Sequence, residues 1–438
     1  MDGGDGWATR RDLVRPPVVW GVTRAVLLLF VLKVFVFPGP DVTTDVSVIY
    51  QGWYDVLRHG SFPAGDVTWQ YPPAAALAVL SPGLLPFLGY ATAFFVLACL
   101  ADLAVLVLLL RAGLRPGRTP RGAWVWVAGV PLLGPTVYAR YDVMVTAVAV
   151  AALLAGARRP RVAGALAGFG ALLKVWPALL LVGAVRRRAW VTAGVTAGGL
   201  SVLAALAAPG AFAFLTAQRD RGTEVESLGG LCFHVARHFG WRGQVLLNYG
   251  SIEFLGPYVD VVSTIALTLT GAVFGWLLLW RLTATRFLPH TLAEAAFTAV
   301  LLFTVTSRVI SPQYLVWLVG TGAVCLCFRA GVMRRPVGLV LVASFVTVLE
   351  FPLGFVHVVA SDPLGIALLL LRDGLLVAAS VMAAVRLWRS TVTGPEAEHE
   401  AGHEAGHEAG HEAGHGAEHG LGPGLSPVES GDSPATAR

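Results

Sequence analysis

Residues 88–110 read LGYATAFFVLACLADLAVLVLLL, an almost uncharged stretch that ends at a cluster of arginines beginning with Arg111. Its length suits a transmembrane helix, which needs about 20 mostly apolar residues to cross a bilayer. Comparable stretches recur from residue 17 to residue 388. Helices satisfy their own backbone polar groups inside lipid, so the sequence predicts an all-α, polytopic membrane protein.

The composition supports this prediction and excludes other classes. The 438 residues are 55% hydrophobic and 13% charged, with a mean hydropathy of +0.68, well beyond an ordinary soluble domain. The short alternating strands of an outer-membrane barrel do not appear. The net charge of +5 comes mainly from arginines in short loops, which is an orientation signal and indicates no nucleic-acid partner. The four cysteines have no metal-ligand spacing, so we expect no disulfide framework and no metal site.

Positive charge sets the predicted orientation. Arg10, Arg11 and Arg15 precede the first apolar stretch, and no cleavage site follows it. Residues 1–16 are therefore expected to form a cytoplasmic tail, with a first helix over 17–37 directed outward. A long extracytoplasmic loop over about residues 38–72 follows from this assignment.

The same rule orders the rest of the membrane domain, residues 17–389, into a bundle of about 10–12 transmembrane helices. Predicted crossings after the first are 88–110, 123–138, 142–157, 189–209, 259–280, 291–307, 309–328, 336–357 and 363–385. Residues 72–86, interrupted by SPGLLP, are expected to form an interfacial or re-entrant helix. Residues 162–185 lie between two basic clusters, and we predict a re-entrant pair of half-helices broken near LLKVWP. A second outer loop is expected over about 210–258.

A low-complexity tail follows the last crossing. Residues 390–438 contain a repeated EAGH motif and hold six of the eleven histidines. Such a composition cannot bury a core, so we predict a disordered cytoplasmic tail. Weak zinc or nickel binding is an alternative, but a solvated tail with no part in activity is favoured.

This topology places seven polar segments at or near the outer face. They are DVTTDVSVIYQGW (41–53), QYPP (70–73), ARYD (139–142), LLKVWP (172–177), QRDRGTEVES (218–227), TSRVISPQY (306–314) and LEFP (349–352). Three of them carry a basic residue at an outer helix end: Arg140, Lys174 and Arg308. Because guanidinium and ammonium groups bind anions, the set predicts an anionic-ligand site.

Two acidic positions in these segments each have two interpretations. Asp142 either closes a hairpin through a local ion pair with Arg140 or holds that arginine in place for an anion. Asp45 is either a helix N-cap or a general base. Asp41, Asp55 and Asp66 compete with Asp45 for the second role.

The charged residues inside the apolar stretches must have partners or reach the membrane surface, because unpaired charges are costly in lipid. We expect Arg24 and Lys33 to snorkel to opposite interfaces. Asp102, Asp260 and Glu294 either pair or lie near helix ends. Arg372 and Asp373 should each need a separate partner, since adjacent helix residues do not face each other, and neither has an assigned role.

The polar segments resemble those of the polyprenyl-phosphate-mannose-dependent mannosyltransferases of glycosyltransferase family 87, in the multi-spanning GT-C class. The motifs that carry this resemblance, in family order, are DVSVIY (45–50), GSFP (60–63), WQYPP (69–73), RYD (140–142), LKVWP (173–177), QRDRGTEVES (218–227) and SPQYLVWL (311–318). Many relatives have lysine where this chain has Arg308, and the two cations differ in reach and hydrogen-bonding geometry.

The resemblance implies an inverting transfer of a mannose-type sugar from a polyprenyl-phosphate donor to a lipid or glycan hydroxyl. It implies a multi-pass plasma-membrane enzyme, with its active site outside and no metal or cofactor. Asp45 would be the catalytic base, and Arg140, Lys174 and Arg308 would bind the donor phosphate. The substrate pocket would contain Tyr71, Asp142, Glu226, Gln313 and Tyr314.

A transporter or flippase of a lipid-linked or anionic substrate is the main alternative, since broken helices and buried cations also serve transport. No internal repeat is evident, and the polar segments gather on one face, which favours an enzyme. A structural or assembly protein is the third class, and it gives no reason for so many separated polar segments.

Overall fold

The computed structural model describes residues 10–219 and 221–393. The predicted tail up to residue 9, Asp220 and the EAGH tail from residue 394 lie outside the described residues. The chain divides after Val392 into two units, and the fold and the site lie in the first. Its helices are α1 Arg10–Val31, α2 Gln51–Arg58, α3 Ala75–Leu80, α4 Tyr90–Gly113, α5 Arg121–Leu132, α6 Asp142–Ala155, α7 Pro160–Leu173, α8 Arg187–Ala207, α9 Phe214–Arg219, α10 Gly230–Arg237, α11 Val259–Thr283, α12 Thr291–Thr306, α13 Tyr314–Cys325, α14 Arg334–Val348, α15 Phe355–Ala360 and α16 Pro363–Trp388. Its strands are β1 Thr223–Glu224, β2 Gln244–Asn248 and β3 Ser251–Leu255.

Long apolar helices define the architecture. Within the described residues, six helices are long and apolar enough to cross a membrane: α1, α4, α8, α11, α14 and α16. The sides of α8 and α11 that face away from the helix bundle expose large aliphatic side chains, among them Val195, Leu206, Leu278 and Leu282. Such apolar surface is suited to contact with lipid tails. The prediction of an all-α, polytopic membrane protein is confirmed.

Four predicted crossings are shorter helices in the structure. α5, α6, α12 and α13 contain 12, 14, 16 and 12 residues. At 1.5 Å rise per residue, a 12-residue helix spans only about 18 Å. Every residue of α13 from Leu315 to Cys325 is buried, as expected for a helix that is apolar all round. α13 is therefore an internal packing element of the bundle.

The prediction that Arg24 snorkels to the interface is wrong. Arg24 is 1% exposed, and its Nε lies 2.8 Å from Oδ2 of Asp102 in α4. Pro131 lies inside α5 and has no N–H to donate to the carbonyl of Val127, four residues earlier. Arg24 Nη1 donates to that carbonyl at 2.8 Å. Three ring groups also donate to the Asp102 carboxylate: Trp20, Trp126 and Tyr138.

Lys33 does not snorkel along a helix either, because α1 ends at Val31 rather than at residue 37. It lies in the following turn, with φ 59°, and pairs with Asp41 at 2.8 Å. Their side chains are 61% and 47% exposed, and such a pair contributes about 0–1 kcal/mol. Asp260 and Glu294 both lie near helix ends, in the first turns of α11 and α12. Glu294 is also buried, and its carboxylate accepts from Val332 N at 2.7 Å.

Close backbone packing joins α7 to α8. A Cβ atom on Gly164 would lie 2.0 Å from Ala189 O, and one on Gly168 would lie 2.4 Å from Ala193 O. These glycines are four residues apart on one helix face, a spacing that lets membrane helices approach closely.

We expect Gly168→Ala to lower the stability of the protein by about 1–3 kcal/mol, because the new methyl group meets main-chain atoms that cannot move independently. Thermal unfolding in detergent measures the effect. The matched control is Gly194→Ala on α8, where a Cβ meets no atom within 4 Å. Equal melting temperatures for the two variants would contradict this packing.

The second outer segment contains a small antiparallel sheet, in the order β1-β3-β2. The sequence prediction contained no strands, so this sheet was missed. The available sequence signal for a hairpin was Gly250. Tyr249 and Gly250 lie between β2 and β3 and have φ 47° and 79°. Two consecutive positive φ values are required by a type I′ turn, and Gly favours it.

His234 in α10 links this segment to the start of α16. Its Nε2 lies 2.8 Å from Val225 O, and its Nδ1 lies 2.7 Å from Ser361 Oγ. Arg237 Nη1 donates to the same hydroxyl at 2.7 Å, so the hydroxyl proton is free to point at Nδ1. The carbonyl and hydroxyl together suit a neutral ring protonated on Nε2.

Burial lowers the pKa of His234 to about 4, although its bond to Val225 opposes the shift. A lowered histidine pKa stabilises the fold above pH 6.5, and that contribution, about 3 kcal/mol, is lost as pH falls toward 4. We expect the melting temperature of the wild type to fall more between pH 7 and pH 4 than that of His234→Phe. Parallel falls would show that His234 is not the titrating group.

Candidate active site

A cavity of about 670 Å³ lies where the polar segments meet. All seven polar segments contribute to its lining. One residue from each is, in chain order, Asp45, Tyr71, Arg140, Lys174, Glu224, Arg308 and Phe351. Segments spread over more than 300 residues of sequence thus form a single site.

Asp45 begins the helical stretch that follows α1. It is the first residue of a π-helical segment, Asp45–Tyr50, which continues into α2. The N-cap interpretation is wrong, because Thr44 holds the cap position and no side chain caps the helix. Asp45 is 30% exposed, lines the cavity and places Oδ2 2.8 Å from Arg140 Nη2.

The competing aspartates differ from Asp45 in their surroundings. Asp41 also lines the cavity but pairs with exposed Lys33. Asp55 forms a surface pair with Arg58 at 3.3 Å. Asp66 accepts from Trp53 Nε1 at 2.8 Å and lines a separate pocket. Among the four, Asp45 alone combines a cavity position with a cationic partner that also lines the cavity.

The predicted pair of Arg140 with Asp142 is not present, in either interpretation. Arg140 pairs with Asp45, and its Nη1 donates to Ala139 O at 2.7 Å and Val42 O at 3.2 Å. Asp142, two residues later, opens α6. Arg140 lies in the bend before α6, and Asp142 points into the bundle, where it is 1% exposed.

Asp142 holds Lys174. Lys174 Nζ lies 2.7 Å from Asp142 Oδ1, which also accepts from Trp317 Nε1 at 2.7 Å. α7 ends at Leu173, and Lys174 is extended with φ −158°, so the chain breaks at the predicted LLKVWP motif. Asp142 is 1% exposed and is not part of the cavity lining. Asp142 therefore positions Lys174 and does not line the cavity, whereas the sequence analysis placed Asp142 in the substrate pocket.

Aromatic rings surround the Lys174 ammonium. The centroids of four rings lie 5.0–5.5 Å from Nζ: Tyr71, Tyr141, Tyr314 and Trp317. Ring faces attract a cation, and the attraction strengthens when water is excluded. Tyr314 stacks on Trp317 with centroids 4.0 Å apart. Burial raises the pKa of Tyr71 to about 12, and Asp142 and Asp45 add to the shift, so the phenol remains neutral.

The remaining predicted pocket residues also lie at the cavity. Gln313 and Tyr314 open α13 and line the cavity. Arg308 lines it as well, with Nη1 2.9 Å from Arg221 O and 3.2 Å from Ser263 Oγ.

Two charged residues of the cavity lining, Arg221 and Glu224, were missed by the sequence prediction. Arg221 forms a buried pair with Glu253, Nε to Oε1 at 3.0 Å. Burial raises the pKa of Glu224, while Arg221 offsets part of the shift. Both residues belong to QRDRGTEVES, and the high density of charged residues in that segment was the sequence signal that could have identified them.

Glu226 connects the cavity to a buried ionic cluster. It lines the cavity, and its backbone carbonyl accepts from Arg372 Nη2. Arg372 also pairs with Glu350 at 2.7 Å and with Asp373 at 2.9 Å. The expectation that adjacent Arg372 and Asp373 need separate partners is wrong, because the long arginine side chain folds back to its neighbour. Burial raises the pKa of Glu226 well above its ordinary range, and Glu350 adds to the shift.

The six long apolar helices and the polar cavity are those of a multi-pass membrane protein in which polar segments converge on one cavity. A family model described as glycosyltransferase family 87 matches residues 69–312, more than half of the 438 residues. The chain belongs to this family and is a membrane glycosyltransferase. The matched range includes Tyr71, Arg140, Lys174 and Arg308, while Asp45 lies before it.

No curated protein matches the chain. Among solved structures, the chain is similar to one described as the crystal structure of ArnT from Cupriavidus metallidurans bound to undecaprenyl phosphate. The TM-score is 0.41 and the identity 17%, over 84% of this chain and 77% of that chain.

Proposed function

We propose that the protein transfers a mannose-type sugar from a polyprenyl-phosphate donor to a hydroxyl of a lipid or glycan acceptor, with inversion. The reaction takes place at the extracytoplasmic face of the plasma membrane. One observation carries the proposal: a single cavity contains the carboxylate of Asp45 beside the cations Arg140 and Lys174.

An apolar part of the cavity supports a lipid-linked donor. Leu267 and Thr270 of α11 and Phe303 of α12 line it, together with Leu215 of α9. Leu267 is 54% exposed on a helix long enough to cross the membrane. The cavity is therefore bordered by a helix of membrane-crossing length that carries an exposed apolar side chain. An isoprenoid chain suits this apolar side, because it can enter from the bilayer without crossing water.

The charged part of the cavity suits the phosphate that leaves. As the acceptor oxygen attacks the anomeric carbon, Asp45 takes the hydroxyl proton. The bond from that carbon to the phosphate oxygen breaks, and the electron pair leaves with the lipid phosphate. Arg140, Lys174 and Arg308 are the cations that would stabilise its charge. Attack from the face opposite the phosphate inverts the anomeric configuration.

The support for each cation differs. Lys174 is held by Asp142 and surrounded by rings, which fixes its ammonium with few water contacts. Arg140 both orients Asp45 and offers its remaining donors to the cavity. Tyr71, Glu226, Gln313 and Tyr314 line the same space and would contact the sugar or the acceptor.

A donor panel tests the proposal. Purified protein is given polyprenyl-phosphate mannose, polyprenyl-phosphate glucose or a nucleotide-activated mannose, with a membrane lipid extract as acceptor. We expect a mannosylated product from the first donor and none from the nucleotide sugar, because the site carries its cations beside an apolar entrance. Product sensitivity to α- or β-mannosidase reports the linkage. Transfer from the nucleotide sugar alone, or retention of configuration, would contradict the proposal.

A further inference from the structure

The sequence TEVE at residues 223–226 alternates between two environments. β1 ends at Glu224, and Val225 and Glu226 lie in the turn that follows it. Val225 packs with Phe233 and Phe254 in a second hydrophobic cluster, while Glu224 and Glu226 line the cavity. The sheet holds this segment in register, with Glu224 opposite Glu253 of β3.

One oxygen of Glu224 has a partner and the other does not. Oε1 accepts from Ser311 Oγ at 2.9 Å, and the backbone N–H donates to Arg308 O at 3.1 Å. Glu224 is 3% exposed, and its Oε2 makes no hydrogen bond within the protein. A buried oxygen without a partner costs about 1–3 kcal/mol, so its retention at a cavity wall points to a ligand that donates hydrogen bonds.

Resting on the proposed function, we propose that Glu224 binds hydroxyl groups of a sugar in the cavity and so selects which sugar is accepted. Sugar hydroxyls are donors that match a carboxylate oxygen with a free acceptor site. The lipid phosphate does not, because two anions repel. Ser311 and the sheet fix the carboxylate before the sugar arrives, which favours binding through preorganisation. The sugar belongs to the donor or to the acceptor, and both present the same hydroxyl chemistry.

Direct binding measurements distinguish the donor sugar from the acceptor sugar. Trp53, Trp176 and Trp317 line the cavity, so tryptophan fluorescence reports occupancy. The wild type and Glu224→Gln are titrated with three probes: a short-chain polyprenyl-phosphate mannose, the same polyprenyl phosphate without sugar, and an alkyl mannoside. The matched control is Glu294→Gln, which removes a buried carboxylate outside the cavity lining.

We expect Glu224→Gln to raise the Kd of polyprenyl-phosphate mannose or of the alkyl mannoside by about 10-fold or more, the effect of one hydrogen bond to a charged group. The first result assigns Glu224 to the donor sugar, and the second assigns it to the acceptor. The Kd of the sugar-free lipid should stay within twofold. Equal losses for the sugar-free and sugar-bearing lipids, or no loss for any probe, would overturn the proposal.

A second arm uses the wild type alone and so does not depend on a variant that folds. At least one monodeoxy form of the affected sugar should bind about 10-fold more weakly than the sugar itself. Uniform binding of every deoxy form by the wild type would also overturn the proposal. A wild type that binds neither lipid phosphate would instead reject the proposed function itself, which distinguishes the two failures.

Discussion

Asp45→Asn is expected to lower the rate of sugar transfer by about 10³-fold, within the 10²–10⁴ range of general-base catalysis. The amide keeps the size of the side chain but cannot take the acceptor proton. It also loses the charge that pairs with Arg140 at 2.8 Å. Single-turnover transfer of radiolabelled mannose at saturating acceptor measures the chemical step, and a parallel titration measures donor binding.

The control for this substitution lies four residues earlier. Asp41 also lines the cavity, but its carboxylate pairs with exposed Lys33. Asp41→Asn should therefore transfer sugar within about twofold of the wild-type rate, because an exposed pair contributes little. An Asp45→Asn protein that kept a tenth or more of the wild-type rate would remove Asp45 as the base.

Lys174→Met is expected to lower the transfer rate by about 10²–10³-fold, the effect of removing one group that stabilises charge in the transition state. Methionine has a similar length and no charge. The substitution also leaves Asp142 buried, with only Trp317 as a donor to its carboxylate. Breaking a buried pair in this way costs about 3–5 kcal/mol of stability, so activity alone would not distinguish catalysis from folding.

The double variant Lys174→Met/Asp142→Asn separates the two effects. It removes both charges, and the amide oxygen introduced at position 142 can still accept from Trp317. We expect its melting temperature to recover toward the wild type while its transfer rate stays as low as that of Lys174→Met. Recovery of both stability and rate would mean that Lys174 only balances Asp142 and does not act on the donor.

Much of the site could be predicted because its residues are costly to place anywhere else. Charged residues near apolar helices need a wet cavity or a partner, and the arginine bias assigned all seven polar segments to one side. Asp45, Tyr71, Arg140, Lys174 and Arg308 do line one cavity. Their partners could not be predicted, because pairing depends on the direction of each side chain. Arg140 reaches back along the chain to Asp45 rather than to neighbouring Asp142.

The errors in the fold have related causes. Arg24 was expected at an interface because hydropathy describes one helix at a time. Its burial depends on a second helix, where Pro131 frees the Val127 carbonyl, and on a third, which carries Asp102. Hydropathy also cannot distinguish a full crossing from a short internal helix such as α13. The small sheet was hidden within a segment predicted only as an outer loop.

The proposed reaction breaks the bond between a sugar and a lipid phosphate inside the cavity. Purified protein is placed in proteoliposomes that contain polyprenyl-phosphate [¹⁴C]mannose and the acceptor lipid extract, and this assay measures the bond-breaking step directly. We expect each mannose that enters product to release one polyprenyl phosphate, and Asp45→Asn to lower the rates of both by about 10³-fold. Movement of intact polyprenyl-phosphate mannose across the bilayer, with no bond broken, would contradict the proposed reaction and identify a transporter.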